Sequence, residues 1–240
     1  MRLPPPGVAF LAGAATVLGF SPFDLFPAAL AGFALLVHVW VGAGSSRAAF
    51  LLGFWFGFGS FVAGVSWVYV SMHRFGAMPA ALAACATLAF CAFLALFPAL
   101  AGALQARLRA PAGVRATLII PAVWTLLEWL RGWILTGFPW LTAGYAAIDW
   151  PLAGYAAVAG VHAVSLTVMA SAGLLWCIAS GHGAWIAAGS FVVIGVAGAT
   201  LRDVAWSEPA GAPLSVSLLQ GNIAQDLKFD PARYARTLDT

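Results

Sequence analysis

Residues 79–104 read PAALAACATLAFCAFLALFPALAGAL, an apolar run without a charged side chain, and this run decides the fold class. About 20 mostly apolar residues in an α-helix span the hydrocarbon core of a bilayer, and this run is longer. The whole chain agrees, because 62% of its 240 residues are hydrophobic and only 8% are charged. A soluble domain carries about 25% charged residues. The sequence therefore predicts an all-α polytopic membrane protein, since a helix satisfies its own backbone hydrogen bonds in lipid.

Similar apolar runs recur along the chain and predict about seven transmembrane helices. The predicted spans cover residues 7–20, 25–41, 48–70, 79–104, 118–135, 152–178 and 183–201. With the N-terminus in the cytoplasm, the arginines divide between the inside loops (Arg2, Arg47, Arg107, Arg109, Arg115) and the outside loops (Arg74, Arg131, Arg202). The inside excess favours this orientation. An odd number of spans then places everything after residue 201 outside.

The chain changes character after the last span. Residues 1–203 form the predicted membrane domain, and residues 204–213, with Pro209 and Pro213, form a linker. In residues 214–240, apolar and serine residues first alternate, which predicts a strand. Asp230 and Pro231 then predict the start of a helix. One strand and one helix bury no core of their own, so we expect the truncated start of an α/β domain here.

Aromatic side chains are concentrated between residues 131 and 150, where Phe138, Trp140 and Tyr145 lie among glycines. Tryptophan and tyrosine favour the headgroup level of a bilayer, where an apolar ring and a polar tip are both satisfied. The segment is interpreted as a long interfacial loop that is partly re-entrant. An ordinary aromatic belt explains about half of these residues equally well.

Glu128 and Arg131 are the most informative charged residues. Their i, i+3 spacing places them on one face of the fifth predicted helix. Ionisable groups inside a span are costly and usually face a cavity or a partner. Two interpretations remain open at this point. Arg131 meets a phospholipid phosphate while Glu128 holds it, or the two form a structural ion pair that fixes the loop after Arg131.

Several kinds of site are not indicated. The net charge of +3 comes without a basic run, which argues against nucleic acid as a partner. Cys85, Cys91 and Cys177 lie in apolar runs without the CxxC spacing of a metal site, so we interpret them as packing residues. The sequence predicts no cofactor and no metal.

Five stretches, spread in order over nearly the whole chain, share features with one family. They are FSPFD at 20–24; WVYVS at 67–71 with FGAMP at 75–79; Trp124 with EWLRG at 128–132; TGFPW at 136–140 with GY at 144–145; and QGNI at 220–223 with Gln225, Leu227 and Lys228. Together they resemble apolipoprotein N-acyltransferases.

The resemblance implies a multi-pass protein of the bacterial inner (plasma) membrane with a cytoplasmic N-terminus and a periplasmic C-terminus. Its implied reaction transfers an acyl chain from a phospholipid, usually phosphatidylethanolamine, to the α-amino group of the diacylglyceryl-cysteine at the N-terminus of an apolipoprotein. The lipid bilayer, the phospholipid donor and the diacylated apolipoprotein acceptor are the implied partners.

The resemblance also implies where the chemistry resides. The family's Glu, Lys and thioester-forming Cys belong to a nitrilase-like (carbon–nitrogen hydrolase) domain, which begins here at residue 214. No residue before Thr240 matches that triad, so we expect the 240-residue chain to be inactive alone. The candidate lipid- and headgroup-binding residues are Trp67, Tyr69, Arg74, Glu128, Arg131, Phe138, Trp140 and Tyr145.

Two alternatives belong to other functional classes. A small transporter needs polar residues converging in mid-membrane, or broken helices at matched positions in two halves, and the sequence has no such symmetry. A non-catalytic membrane anchor or docking module needs only apolar helices. Neither alternative accounts for an α/β domain that starts at residue 214.

Overall fold

The computed structural model describes residues 6–220, whose regular elements are all helices, with no β-strand in this range. The α-helices in this range are α1 (Pro6–Thr16), α2 (Phe26–Val41), α3 (Ser46–Val65), α4 (Trp67–Val70), α5 (Ala80–Arg107), α6 (Ala112–Val114), α7 (Ile120–Arg131), α8 (Ala156–Ser180) and α9 (Ala184–Arg202). Two π-helical turns, Ser71–Phe75 and Arg115–Ile119, extend α4 and join α6 to α7. Short 3-10 helices occur at Val17–Gly19, Ile134–Thr136, Ala143–Ala147 and Pro151–Tyr155.

Five helical segments are long and apolar enough to cross a membrane. They are Ser46–Val65, Ala80–Arg107, Ala112–Arg131, Pro151–Ser180 and Ala184–Arg202. The prediction of seven spans is confirmed only for these five. Pro6–Gly19 and Phe26–Val41 are shorter apolar helices, because a 3-10 turn and an extended Phe20 end the first and Pro27 opens the second.

The predicted bounds of two spans need correction. Predicted span 48–70 is interrupted at Ser66, between α3 and α4. Predicted span 118–135 begins earlier, at Ala112, and ends at Arg131. Arg115 therefore lies inside a helix and not in a loop, and its guanidinium donates to Trp40 O at 2.9 Å and to Gln105 Oε1 at 3.2 Å. These acceptors explain how the apolar helix includes a charged residue.

Close contact between α3 and α5 holds the centre of the bundle together. A Cβ atom on Gly53 would lie 2.9 Å from the Pro98 carbonyl carbon and 3.0 Å from Trp40 Cζ2. Only glycine fits at this crossing, and small residues commonly permit such approach between membrane helices. Trp40 Nε1 donates to Ala49 O at 3.0 Å, which ties α2 to α3 beside the crossing.

Aromatic rings fill the interior between α2, α3 and α7. The Trp124 ring packs edge-on against Phe33 with centroids 5.5 Å apart, and lies 6.2 Å from both Phe56 and Trp40. Aromatic rings prefer edge-on or offset arrangements, so these contacts fix the orientation of the rings as well as burying them. They also place the Trp124 face of α7 in the middle of the bundle, and Glu128 follows it one turn later on the same face.

The last described helix ends beside the loop that joins α7 to α8. Arg202, at the end of α9, donates to the carbonyl oxygens of Asp149 and Trp150, each at 3.3 Å. The chain therefore leaves α9 at the same end of the bundle as this loop.

The described residues after α9 are exposed and contain no regular element. The strand predicted from Leu214 is not formed in the described range, where Leu214, Leu218 and Leu219 are nearly fully exposed. A strand needs a neighbouring strand for its hydrogen bonds, and residues 6–220 provide none. The helix predicted from Asp230 lies outside the described residues.

Candidate functional site

An open cleft of about 580 Å³ lies at the end of the bundle where α1 and α3 end. It is lined by Val17, Phe20, Ser21, Asp24, Gly64, Trp67, Pro139, Trp140, Leu141, Tyr145 and Ile148. The structure thus brings three of the predicted site residues, Trp67, Trp140 and Tyr145, around one space. Its volume falls within the range of about 300–1,000 Å³ that is usual for small-molecule sites.

The rings of Trp67 and Trp140 form one wall of the cleft, and Phe138 and Phe90 pack behind them without lining it. Trp67 lies 5.6 Å from Trp140 between ring centroids, Trp140 stacks on Phe138 at 5.3 Å, and Phe138 meets Phe90 of α5 edge-on at 5.0 Å. Trp67 and Trp140 keep about half of their surface exposed. The wall is therefore rigidly packed from behind and presents apolar ring surface to the cleft.

The cleft has a polar corner in the turn between α1 and α2. Ser21 Oγ donates to Asp24 Oδ1 at 2.8 Å, and Asp24 adopts a positive φ of 51°. Among the lining residues Asp24 carries the sole carboxylate. In the sequence, Asp24 lies in the break between the first two predicted spans, and no site was assigned to it. The signal that could have found it is its place in the stretch 20–24, one of the five that carried the resemblance.

Two buried charges on α7 hold the loop that carries Trp140 and Tyr145. Arg131 Nη1 donates to both Phe138 O and Trp140 O, each at 2.6 Å. Glu128 Oε1 accepts the Ala143 backbone N–H at 2.8 Å. These bonds bracket Leu141, which has a positive φ of 57° and lines the cleft. We call Glu128 and Arg131 together the α7 clamp.

The α7 clamp is almost fully buried, with side-chain exposures of 3% for Glu128 and 4% for Arg131. Arg131 Nη2 lies 3.9 Å from Glu128 Oε1, and its guanidinium carbon lies 5.3 Å from the Phe61 ring centroid. Burying both charges is costly, and pairing together with hydrogen bonds offsets that cost. The arrangement shapes the cleft from behind.

Tyr69 and Arg74 do not line the cleft. Tyr69 stacks on His73 at 5.5 Å, and the His73 ring nitrogen Nδ1 lies 2.8 Å from Met78 O. Arg74 is exposed, with its guanidinium carbon 5.9 Å from the Phe75 ring centroid. These residues form a separate polar patch on α4 and the π-helical turn that extends it.

Residues 6–220 contain no group of three or more His, Cys, Asp or Glu side chains placed to hold a metal ion. Cys91 and Cys177 are buried and Cys85 is exposed on α5, and all three are free thiols. No lysine occurs in the described range, so a Glu–Lys–Cys set is not assembled there. No cysteine and no lysine line the cleft in this part of the chain.

Comparison with known proteins gives a consistent result. A family model described as apolipoprotein N-acyltransferase N-terminal domain matches residues 12–174. The apolipoprotein N-acyltransferase of Nitrosomonas europaea is 46% identical over 234 residues, which is 96% of this chain and 46% of the relative. That of Chromobacterium violaceum is 43% identical over 239 residues, 97% of this chain and 45% of the relative.

A third relative with the same name, from Pseudomonas paraeruginosa, is 43% identical over 97% of this chain and 46% of its own length. The chain thus spans about half the length of the curated relatives it matches. The family match covers the helices that build the cleft and the α7 clamp, from α1 into α8. The resemblance found in the sequence is confirmed, and the chain belongs to the apolipoprotein N-acyltransferase N-terminal domain family.

Proposed function

We propose that this chain forms the membrane part of an enzyme that N-acylates apolipoproteins and that its cleft receives a phospholipid substrate. Phosphatidylethanolamine is the proposed acyl donor, and the diacylglyceryl-cysteine of an apolipoprotein is the acceptor. The observation that carries the proposal is the half-exposed aromatic wall of Trp67 and Trp140, which faces a polar corner at Asp24 across one open cleft. Apolar ring faces suit acyl chains, and a polar edge suits a headgroup.

The proposed reaction has two steps. A cysteine thiolate attacks the ester carbonyl of the phospholipid, which forms a thioester and releases a lysophospholipid. The free α-amine of the apolipoprotein then attacks the thioester, which forms the amide and regenerates the thiol. Splitting one difficult transfer into two easier steps is the advantage of covalent catalysis. In the proposal, a nitrilase-type domain beginning near residue 214 supplies the Cys, with Glu as general base and Lys at the oxyanion.

The end of the bundle at which the chain leaves α9 supports a catalytic domain that follows the membrane part. Arg202 binds the loop between α7 and α8, so residues after α9 start at the cleft end of the bundle. A domain that follows would cover the cleft. We propose seven spans in the bacterial inner membrane, with the cleft end periplasmic. Arg47, Arg107 and Arg109 flank helix ends at the opposite side, which fits a cytoplasmic face.

The proposal is tested in the full-length enzyme with Trp140→Ala. Acyl transfer from labelled phosphatidylethanolamine to a diacylated lipopeptide should fall about 10-fold or more, because aromatic anchors contribute 2 kcal/mol or more to binding at such positions. Trp185→Ala is the matched control, since Trp185 on α9 is 92% exposed and does not line the cleft.

The expected pattern is a loss of transfer in Trp140→Ala and unchanged transfer in Trp185→Ala, with both proteins folded. Equal activity of the two variants would refute a lipid site at the cleft. It would favour the alternative that this half of the protein only anchors a soluble enzyme.

A further inference from the structure

A small cavity lies inside the bundle, with the two residues of the α7 clamp in its lining. Its volume is about 30 Å³, and its polar lining residues are Thr16, Ser60, Trp124, Glu128 and Arg131. A site of this size has room for about two water molecules. Phe20 and Leu141 line both this cavity and the cleft, so these two side chains separate the two spaces.

Two buried polar atoms in the lining have no hydrogen-bond partner among the described residues. They are the Trp124 indole nitrogen, Nε1, and the second carboxylate oxygen of Glu128, Oε2. Both residues are more than nine-tenths buried, and their i, i+4 spacing on α7 places them one turn apart on one face. One is a donor only, and the other is an acceptor in its ionised form.

A third contact in the same lining is too long to be direct. Arg131 Nη2 lies 3.9 Å from Glu128 Oε1, beyond hydrogen-bond distance. A separation of this kind between polar groups is often bridged by water. Elsewhere in the lining, Ser60 Oγ lies 3.3 Å from Thr16 Oγ1, whose own proton goes to Gly13 O at 2.6 Å. Ser60 Oγ therefore keeps acceptor capacity towards the cavity.

We propose that this cavity is a water-binding site, in which one or two ordered waters accept from Trp124 Nε1 and donate to Glu128 Oε2. The bound water completes the hydrogen bonding of a carboxylate whose other oxygen holds the Ala143 N–H. Without it, Glu128 Oε2 would stay buried without a hydrogen-bond partner, which is unfavourable. The water thereby completes the hydrogen bonding of the α7 clamp and helps to hold the cleft loop in place. This inference does not depend on which lipid the cleft receives.

The test is a cryo-electron microscopy map of the full-length protein in lipid nanodiscs, at a resolution that resolves ordered water. Density is expected within hydrogen-bond distance of both Trp124 Nε1 and Glu128 Oε2. Trp124→Phe removes the donor while preserving an aromatic ring, and should abolish that density. Trp129→Phe is the control on the same helix, because Trp129 is 45% exposed and does not line the cavity.

Three results would overturn the proposal. A dry cavity in the unaltered protein is the first. Elongated density that continues from the cleft past Leu141 is the second, because it would identify an acyl chain. Density that persists unchanged in Trp124→Phe is the third, since the indole would then not hold the water.

Discussion

At the scale of single residues, Arg131 connects the bundle to the cleft. One nitrogen of its guanidinium reaches two carbonyl oxygens of the following loop, at Phe138 and Trp140. The planar, multiply donating group of arginine suits this task, and the single ammonium of lysine does not reproduce it. Two interpretations of Arg131 were drawn from the sequence, as a phosphate ligand or as a structural residue. They predict different effects of Arg131→Lys on the stability of the protein.

The first prediction is that Arg131→Lys lowers the thermal stability of the protein in detergent. The charge is kept, but at least one of the two partly buried carbonyls loses its charged donor, which costs about 1–3 kcal/mol. Arg74→Lys is the matched control, because Arg74 is exposed and its change should stay within about 0.5 kcal/mol. If Arg131→Lys unfolds like the unaltered protein and only weakens the use of phospholipid, the phosphate interpretation is correct.

Residue patterns disclosed part of this site. The i, i+3 spacing of Glu128 and Arg131 was sufficient to predict that the two act together. The hydrogen-bond partners of these two side chains are backbone groups of Phe138, Trp140 and Ala143. They were not predictable, because every residue has a backbone carbonyl and the side-chain type does not show which one is bound. The polar corner at Asp24 was missed for a similar reason, since a lone carboxylate before an apolar run is usual in a turn.

At the scale of elements, the crossing of α3 and α5 leaves the least room for added side-chain volume. We predict that Gly53→Val destabilises the protein by about 1–3 kcal/mol, the usual cost of overpacking. The added side chain would meet Pro98 and Trp40 within 3.0 Å. Gly189→Val on α9 is the control, because no atom lies within 4 Å of a Cβ placed there.

Unfolding in detergent, followed by intrinsic fluorescence, measures both variants. Both substitutions replace a helical glycine by valine, so intrinsic helix propensity cancels between them. A similar loss of stability in the two variants would mean that the crossing is not specifically tight.

Apolar runs predicted where helices lie better than where they begin. Residues 79–104 form most of α5, because a long uncharged run in lipid must satisfy its backbone hydrogen bonds internally, as a helix does. The predicted start of the fifth span was wrong because Arg115 was assigned to a loop. Its hydrogen-bond acceptors, on Trp40 and Gln105, could not be predicted from the residues next to it in sequence. The strand predicted from Leu214 depends on neighbours that residues 6–220 do not provide.

At the scale of the whole molecule, the bundle has two distinct ends. The cleft, the loop after α7 and the exit from α9 share one end, while the start of α3 lies at the other. We predict that Ser207→Cys is labelled by an impermeant maleimide in intact spheroplasts, whereas Ser46→Cys is labelled only after permeabilisation. Native cysteines are changed to alanine in both variants.

Labelling of position 46 from the periplasmic side would contradict the proposed orientation. Labelling of positions 46 and 207 from the same side would contradict the odd number of spans as well.

The cleft between Trp67, Trp140 and Tyr145 is the proposed site of the phospholipid. Its most direct test is photo-crosslinking of the full-length protein in membranes with phosphatidylethanolamine that carries a photoreactive group near its ester bonds. Mass spectrometry then maps the adducts. We expect adducts concentrated on cleft residues, suppressed by excess unlabelled phosphatidylethanolamine and lost in Trp140→Ala. Adducts spread over lipid-exposed positions such as Trp185 and Ile186, with none enriched at the cleft, would contradict the proposal.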